Sequence, residues 1–385
     1  MTLTNPADGN TVDEPTDGAA TTRSPSRESV YMSKATAKLY AAREHRLAFL
    51  KDATTRAAIT RATDRLASIA HPDRDYVAIR SEFIYRLPAR AVRDSDRPED
   101  ITTRPPLTQV LNGKNPHAIA LYLTNLFVKQ MLDAHGAAGS PNPPPEPRRR
   151  HSVYNIDSAP SWASLIGLPS INRRNQRKSY NRALDALHKW ELVDLGATGQ
   201  RYTNFTLNRE DGSGRPYTIP RGDPAVPQHL CLPTGFFTAG WHLILTPSEL
   251  ATFLAVCHVA DRNPRQRTDD EPPGSIFLAE SLRYRHLGLA EEAYLAIHQL
   301  AEFGLIIVDD PMPGRRRGRI PPNLTGGKRP QPYQLTSTVL GGFPSAERAF
   351  DLDVFKRPAI DAASDLLNSP LLRYAKWDGT SRRRP

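Results

Sequence analysis

The stretch WASLIGLPSINRRNQRKSYNRALDALHKWELVDL, Trp162–Leu195, decides the reading of the fold. Its opening residues, Trp162-Ala163-Ser164-Leu165-Ile166-Gly167-Leu168, suit a short helix closed by a glycine turn. A longer helix follows, with Tyr180, Leu184, Leu187 and Trp190 at helical spacing as its core face, and Leu192-Val193-Asp194-Leu195 then changes to an extended run. The Gly-rich hairpin Gly196–Gln200 leads into a returning strand, Tyr202–Leu207. The order is helix, turn, helix and β-hairpin.

Working outward, the same order occurs a second time in diverged form. Each copy opens on a short extended run ending in an aromatic residue, Tyr76–Phe83 in the first and His229–Phe236 in the second. Each continues with a helix introduced by a capping residue and proline: Asn115-Pro116 before Ala118–Leu123, and Thr246-Pro247 before Glu249–Leu254. In the second copy, Phe277–Leu287 reads as the short helix, Tyr294, Ile297, Leu300 and Phe303 as the core face of the long one, and Leu305–Val308 as the strand. A Pro-, Gly- and Arg-rich loop, Pro311–Gln331, then reaches a last strand, Tyr333–Thr336. This is a winged-helix arrangement, twice. The expected class is mostly α with small β-hairpins (α+β): two tandem winged-helix domains at 72–218 and 219–342, preceded by a charged helical arm at 31–71.

Composition bounds the rest. A chain of 385 residues exceeds one ordinary core, and its 35 prolines assign part of the length to linkers and tails. Residues 1–30 carry scarcely an apolar side chain and read as a disordered tail. Ser33–Ala70 is proline-free and mixes charges with Leu39, Leu47, Phe49, Leu50, Ile59, Leu66 and Ile69, which predicts one long helix or two, ended by His71-Pro72. The segment 135–150, with Arg148-Arg149-Arg150, reads as a loop inside the first copy. The extension 343–385 holds two helical stretches, Ala346–Phe355 and Ile360–Leu367, that pack on the second domain or float, and it ends in Arg382-Arg383-Arg384. Cys231 and Cys257 lie in apolar runs without ligand spacing and read as buried structural thiols. No apolar stretch reaches the roughly 18 residues of a membrane span, and Asp8, Asp13, Glu14 and Asp17 break the order of a signal peptide, so a cytoplasmic location is expected.

The formal net charge of +10 makes a polyanion the natural partner, and the arrangement of charge points to double-stranded DNA. The second helix of a helix-turn-helix unit can enter the major groove, where Arg pairs with guanine and Asn or Gln with adenine. The helix beginning Asn172-Arg173-Arg174-Asn175-Gln176-Arg177-Lys178-Ser179-Tyr180-Asn181-Arg182 carries these residue types and no acid through Ala183, whereas a solvated charged face mixes signs. Base contacts are expected from Arg173, Gln176, Arg177 and Asn181, and phosphate contacts from Arg174, Lys178 and Tyr180, with Arg182 on the same helix.

The second copy differs at this slot, because Leu287-Gly288-Leu289-Ala290-Glu291-Glu292-Ala293 starts its long helix with acids. Its expected contacts are Arg283 and Arg285 before that helix, beside His286, and the wing residues Arg315, Arg316, Arg317, Arg319, Lys328 and Arg329, suited to phosphates or a narrow minor groove. A basic loop without a dedicated partner is the plainer alternative for the wing. Catalysis is not expected. Gly113-Lys114 and Gly327-Lys328 lack the rest of a phosphate-binding loop, His286 and His298 read as a surface and a core histidine, and Asp269-Asp270 and Asp309-Asp310 read as turn residues. No metal or other cofactor is indicated.

The run Phe236-Phe237-Thr238-Ala239-Gly240-Trp241 before Leu245-Thr246-Pro247-Ser248-Glu249-Leu250, set in the duplicated pattern from Asp75 to Gly342, resembles the tandem winged-helix replication initiators of plasmids. The resemblance implies binding to repeated origin sites, recruitment of host replication proteins, and a monomer-to-dimer switch. It also implies a second domain that reads DNA more strongly, from which Glu291 and Glu292 depart; base reading is therefore assigned to the first domain, leaving the second as wing contact, dimerisation surface or both. A transcriptional regulator on the same fold and a protein-interaction scaffold are the competing readings.

Overall fold

A computed structural model of the chain describes residues 34–87, 101–137, 161–170, 172–199, 201–202, 205–220, 229–262, 275–310, 333–337 and 353–369, which are mostly helical with small antiparallel sheets. The tail 1–30, most of loop 135–150, the wing residues Arg315, Arg316, Arg317, Arg319, Lys328 and Arg329, and Arg382–Arg384 lie outside these. Among the described residues, no helix is long and apolar enough to cross a membrane.

The two opening strands pair with each other. Strand β1 (Tyr76–Arg80) runs antiparallel to β4 (His229–Pro233), from Tyr76↔Pro233 to Arg80↔His229, so the ladder is symmetric about Ala78 and Cys231. The extended runs stop at Arg80 and Pro233, short of the aromatic ends expected from the sequence. The chain turns there into the short helices α3 (Ser81–Ile84) and α8 (Thr234–Thr238). That turn drops Phe83 and Phe236 into the core, each against the ring of a long helix: Phe83 on Tyr122 of α5 (Ala118–Ala137) at 5.2 Å, and Phe236 on Phe253 of α10 (Pro247–Arg262) at 5.1 Å. Tyr122 and Phe253 stand at matching distances beyond the caps Asn115 and Thr246.

Both caps satisfy backbone amides that a helix start leaves open. Asn115 Oδ1 accepts from the amides of His117 and Ala118 at 2.9 and 3.1 Å. Thr246 Oγ1 accepts from the Glu249 amide at 3.3 Å while Glu249 Oε2 accepts from the Thr246 amide at 2.9 Å, a reciprocal box. Helix α10 packs on α3, α4 (Pro106–Asn112) and α5 of the first half, so the halves share one buried core.

In the first half, α6 (Trp162–Leu165) and α7 (Arg173–His188) precede a minimal hairpin of β2 (Val193–Asp194) and β3 (Thr206–Leu207). In the second, β5 (Ser275–Phe277), β6 (Ile306–Asp309) and β7 (Gln334–Ser337) form an antiparallel sheet in the order β5-β7-β6. Two expectations fail here. Phe277–Leu287 is the end of a strand followed by one wide π-helical turn, Leu282–His286, and the long helix is split into α11 (Glu291–Tyr294) and α12 (Ile297–Glu302). Its apolar residues Tyr294, Ile297, Leu300 and Phe303 are nonetheless buried. The split helix starts at Ala290, which caps nothing with its side chain, whereas α7 is capped by Asn172.

The arm comprises α1 (Lys34–Lys51) and α2 (Ala53–Ile69), joined at Asp52, whose carboxylate accepts from the Thr55 amide at 2.8 Å and caps α2. Helix α2 buries Ala58, Ile59, Ala62, Leu66 and Ile69 against α6 of one half and α8 of the other. Two glycines admit it. Gly167 (φ +65°) lies under Ile59, and at Gly240 (φ +87°) a Cβ would stand 2.6 Å from Thr63 Cγ2. Several charges of the arm are spent inside the molecule. Arg43 donates to the carbonyls of Leu366, Leu367 and Ser369, closing the C-terminus of α13 (Ala359–Asn368), and Arg46 grips both oxygens of Glu249. Arg56 pairs with Asp361. The C-terminal extension therefore packs, with Trp241 Nε1 donating to the Val354 carbonyl at 3.0 Å and Phe355 set edge-on to Phe236.

Candidate nucleic-acid interface

Helix α7 holds most of the candidate residues, and the core decides which of them face solvent. At 3.6 residues per turn, Tyr180, Ala183, Leu184 and Leu187 share one face, and all are fully buried. Gln176 continues that face into the first turns. It is 7% exposed, and its Nε2 donates to the Leu168 carbonyl at 2.9 Å, tying α7 to the turn after α6.

Two predicted contacts are thereby corrected. Gln176, expected at a base edge, holds the helix-turn-helix angle instead. Tyr180, expected at a phosphate, is 0% exposed, and burial pushes its phenol far above the ordinary range. Asn181 is half-buried at the edge of the core face. Arg173, Arg174, Arg177, Lys178 and Arg182 are exposed, five cations on one 16-residue helix.

The first turn of α7 contains no acid and begins Arg173-Arg174. A helix N-terminus carries a partial positive charge and open amides, so cations there oppose the macrodipole by up to about 1 kcal/mol each. A stable surface helix would place Asp or Glu in this position. Five cations and the helix end together create a strongly anion-attracting surface.

Asp185 is the single acid of α7, and the hairpin neutralises it. Arg201 pairs with it at 3.2 Å, and the Tyr202 hydroxyl donates to it at 2.9 Å; burial first, and then this hydrogen bond to the carboxylate, raises the Tyr202 pKa. The same contacts fasten the hairpin beside the helix. Sequence reading passed over this pairing, because Arg201 and Asp185 are 16 positions apart and the hairpin's register was open.

The second half presents a different surface. Arg283, expected to contact DNA, turns inward: its guanidinium lies 4.2 Å from the centre of the Tyr294 ring, and its Nε and Nη1 are buried. Arg285 is half-buried in the same π turn. His286, read as a surface histidine, is bound to the first half. Its carbonyl accepts from the Arg86 amide at 2.9 Å, its Nδ1 lies 3.1 Å from the Arg86 carbonyl, and its ring stacks on Tyr85 at 5.0 Å. His298, read as a core histidine, is half-buried, with its ring edge-on to Tyr333 at 5.2 Å. Glu291 and Glu292 are exposed at the start of α11.

No family model, no curated protein and no solved structure matches this chain. The reading of the site therefore rests on its own chemistry. Among the described residues, no three His, Cys, Asp or Glu side chains cluster as a metal site. Cys231 and Cys257 are buried, and burial pushes both thiols up to about 12, far from the range of a reactive thiolate.

Proposed function

We propose that this chain is a sequence-specific binder of double-stranded DNA, built from two winged-helix halves, and that it acts in the cytoplasm as a plasmid-type replication initiator at repeated origin sites. The observation that carries the DNA reading is the exposed face of α7: Arg173, Arg174, Arg177, Lys178 and Arg182, with the helix's one acid already paired. The width of a helix matches the major groove of about 12 Å, and Arg and Lys are the side chains that pair with guanine edges and phosphates.

Two features support the winged-helix reading. In the second half, helix, strand, turn, helix and hairpin follow one another, and β7 lies between β5 and β6. The first half repeats the helix, turn, helix and hairpin portion around α6, α7, β2 and β3. The symmetric pairing of β1 with β4, and the matched Phe83–Tyr122 and Phe236–Phe253 contacts, support a duplicated origin of the halves. A duplicated DNA-binding chain suits repeated sites, with host replication proteins as its further partners.

Selection of bound sequences from random duplex DNA tests the reading. A recurrent motif, found in tandem repeats on the replicon that encodes the protein, is the expected result. A single palindrome at a promoter would turn the reading to a transcriptional regulator on the same fold. No enrichment at any salt concentration would leave a protein-interaction scaffold and overturn DNA binding.

A further inference from the structure

The edge of β1 that does not face β4 is covered by a side chain. Gln130 of α5 is 0% exposed, and its amide bonds both backbone groups of Ala78: Oε1 accepts from the Ala78 amide at 3.0 Å, and Nε2 donates to the Ala78 carbonyl at 2.7 Å. The same amide holds two further groups. Its Oε1 also accepts from Arg74 Nη2 at 2.7 Å, and its Nε2 also donates to the Tyr217 hydroxyl oxygen at 2.8 Å. Arg74 and Tyr217 are thus fixed from one buried point, and both line an open cleft of about 960 Å³ together with Arg80, Lys129, Asp133 and Thr218.

This network leaves donors over. The Tyr217 oxygen accepts from Gln130, so its own proton remains to be donated. Arg74 spends Nε on the Tyr76 carbonyl at 3.3 Å and Nη2 on Gln130; both partners are neutral, and among the described residues it pairs with no carboxylate. Asp73 and Asp75, its neighbours in the chain, are exposed and do not line the cleft. The other charges there are offset. Arg80 pairs with Glu210, which is 0% exposed, and its Nη2 donates to the Thr218 carbonyl at 2.6 Å. Lys129 and Asp133 pair at 3.1 Å on the rim, 43% and 39% exposed. One positive charge, that of half-buried Arg74, is left without a counter-ion.

The geometry points to a binding site for a small organic oxyanion, a phosphate or carboxylate held by Arg74 and the Tyr217 hydroxyl, with Lys129 at the rim. A guanidinium binds such groups through paired N–H donors, and the phenol adds a neutral one. Because Gln130 orders both donors in advance, a ligand meets a smaller entropic cost. The cleft has the size of a small-molecule site, more than a lone phosphate fills, so the anionic group belongs to a larger molecule. No residue of α7 lines it, and the inference stands apart from the DNA reading.

The test is calorimetric titration of the full chain with adenosine monophosphate, citrate and inorganic phosphate. It is run on the parent and on Arg173→Ala/Arg174→Ala/Arg177→Ala/Lys178→Ala, which removes the anion attraction of α7. Adenosine monophosphate or citrate is expected to bind both proteins equally, the tighter of the two telling phosphate from carboxylate, and inorganic phosphate to bind more weakly than either. Arg74→Gln should weaken binding roughly tenfold or more, and Tyr217→Phe, which keeps the ring, roughly threefold to tenfold. Arg74→Lys, with the charge but not the paired donors, should recover part of the loss. Binding of none of the three anions, or binding that Arg74→Gln and Tyr217→Phe leave unchanged, would overturn the site. Binding lost in the α7 variant alone would place the anion on α7 and overturn it as well.

Discussion

The same slot of the two halves is filled by two opposite helices. Helix α7 is continuous, capped by Asn172, begins with two arginines and exposes five cations. Its counterpart is split into α11 and α12, lacks a side-chain cap, begins with Glu291 and Glu292, and follows a π turn that is bound to the first half through His286 and Arg86. The fold fixes the buried positions in both, since Tyr180, Leu184 and Leu187 on one side and Tyr294, Ile297 and Leu300 on the other are core residues. It does not fix the exposed ones. Among the described residues the basic face therefore belongs to the first half; on the DNA-binding reading proposed above, that half faces the duplex while the second supplies core and the clasp between halves.

The largest effect expected from breaking this contrast comes from Arg173→Ala/Arg174→Ala/Arg177→Ala/Lys178→Ala. Removing four cations from a salt-dependent interface lowers duplex affinity by about a thousandfold or more at 50 mM salt, as read by titration of a labelled duplex. Unfolding midpoints should not fall, because all four side chains are exposed and Arg173 and Arg174 oppose the macrodipole.

Next in size is a difference in acid sensitivity. His242 and His258 both belong to the second half, and burial pushes both down to about 3, whereas the position in α5 that matches His258 is Phe127. A buried neutral histidine with a depressed pKa contributes stability that is fully present above its unfolded pKa of about 6.5 and is lost as pH falls toward the folded value. The loss approaches about 1.4 kcal/mol per pH unit for each histidine. His258→Phe should therefore flatten the decline in denaturant stability between pH 6.5 and 4.5 by one proton's share. An unchanged decline would mean that His258 is not protonated on unfolding.

A smaller and oppositely signed effect separates stability from binding within α7. Arg173→Glu/Arg174→Glu aligns the first turn with the macrodipole and is expected to raise stability by about 0.3–1 kcal/mol per site while abolishing duplex binding. Stability that falls with binding would assign these arginines a structural role. Smallest is Asp185→Asn, which frees Arg201 from its ion pair at 3.2 Å; duplex affinity should rise by roughly threefold or less, because an exposed pair contributes little.

Much of this contrast was legible in sequence. The helical spacing of Tyr180, Leu184 and Leu187 identified the core face, and the absence of acids between Asn172 and Ala183 identified the basic one. Gln176 was misplaced because its buried position is visible only once the turn after α6 supplies the Leu168 carbonyl as its partner. The reach of the arm was also hidden. Its mixed charges resemble a solvated face, and only long-range pairing shows Arg43 closing α13 and Arg46 holding Glu249. The β1–β4 pairing was illegible too, because alternation gives a strand but names no partner.

Hydrogen exchange of the full chain with and without its selected duplex tests the division of labour most directly. Protection gained over Asn172–Arg182, with little change over Glu291–Glu302, is the predicted result. Protection confined to Glu291–Glu302, or none in either helix when DNA is bound, would contradict it.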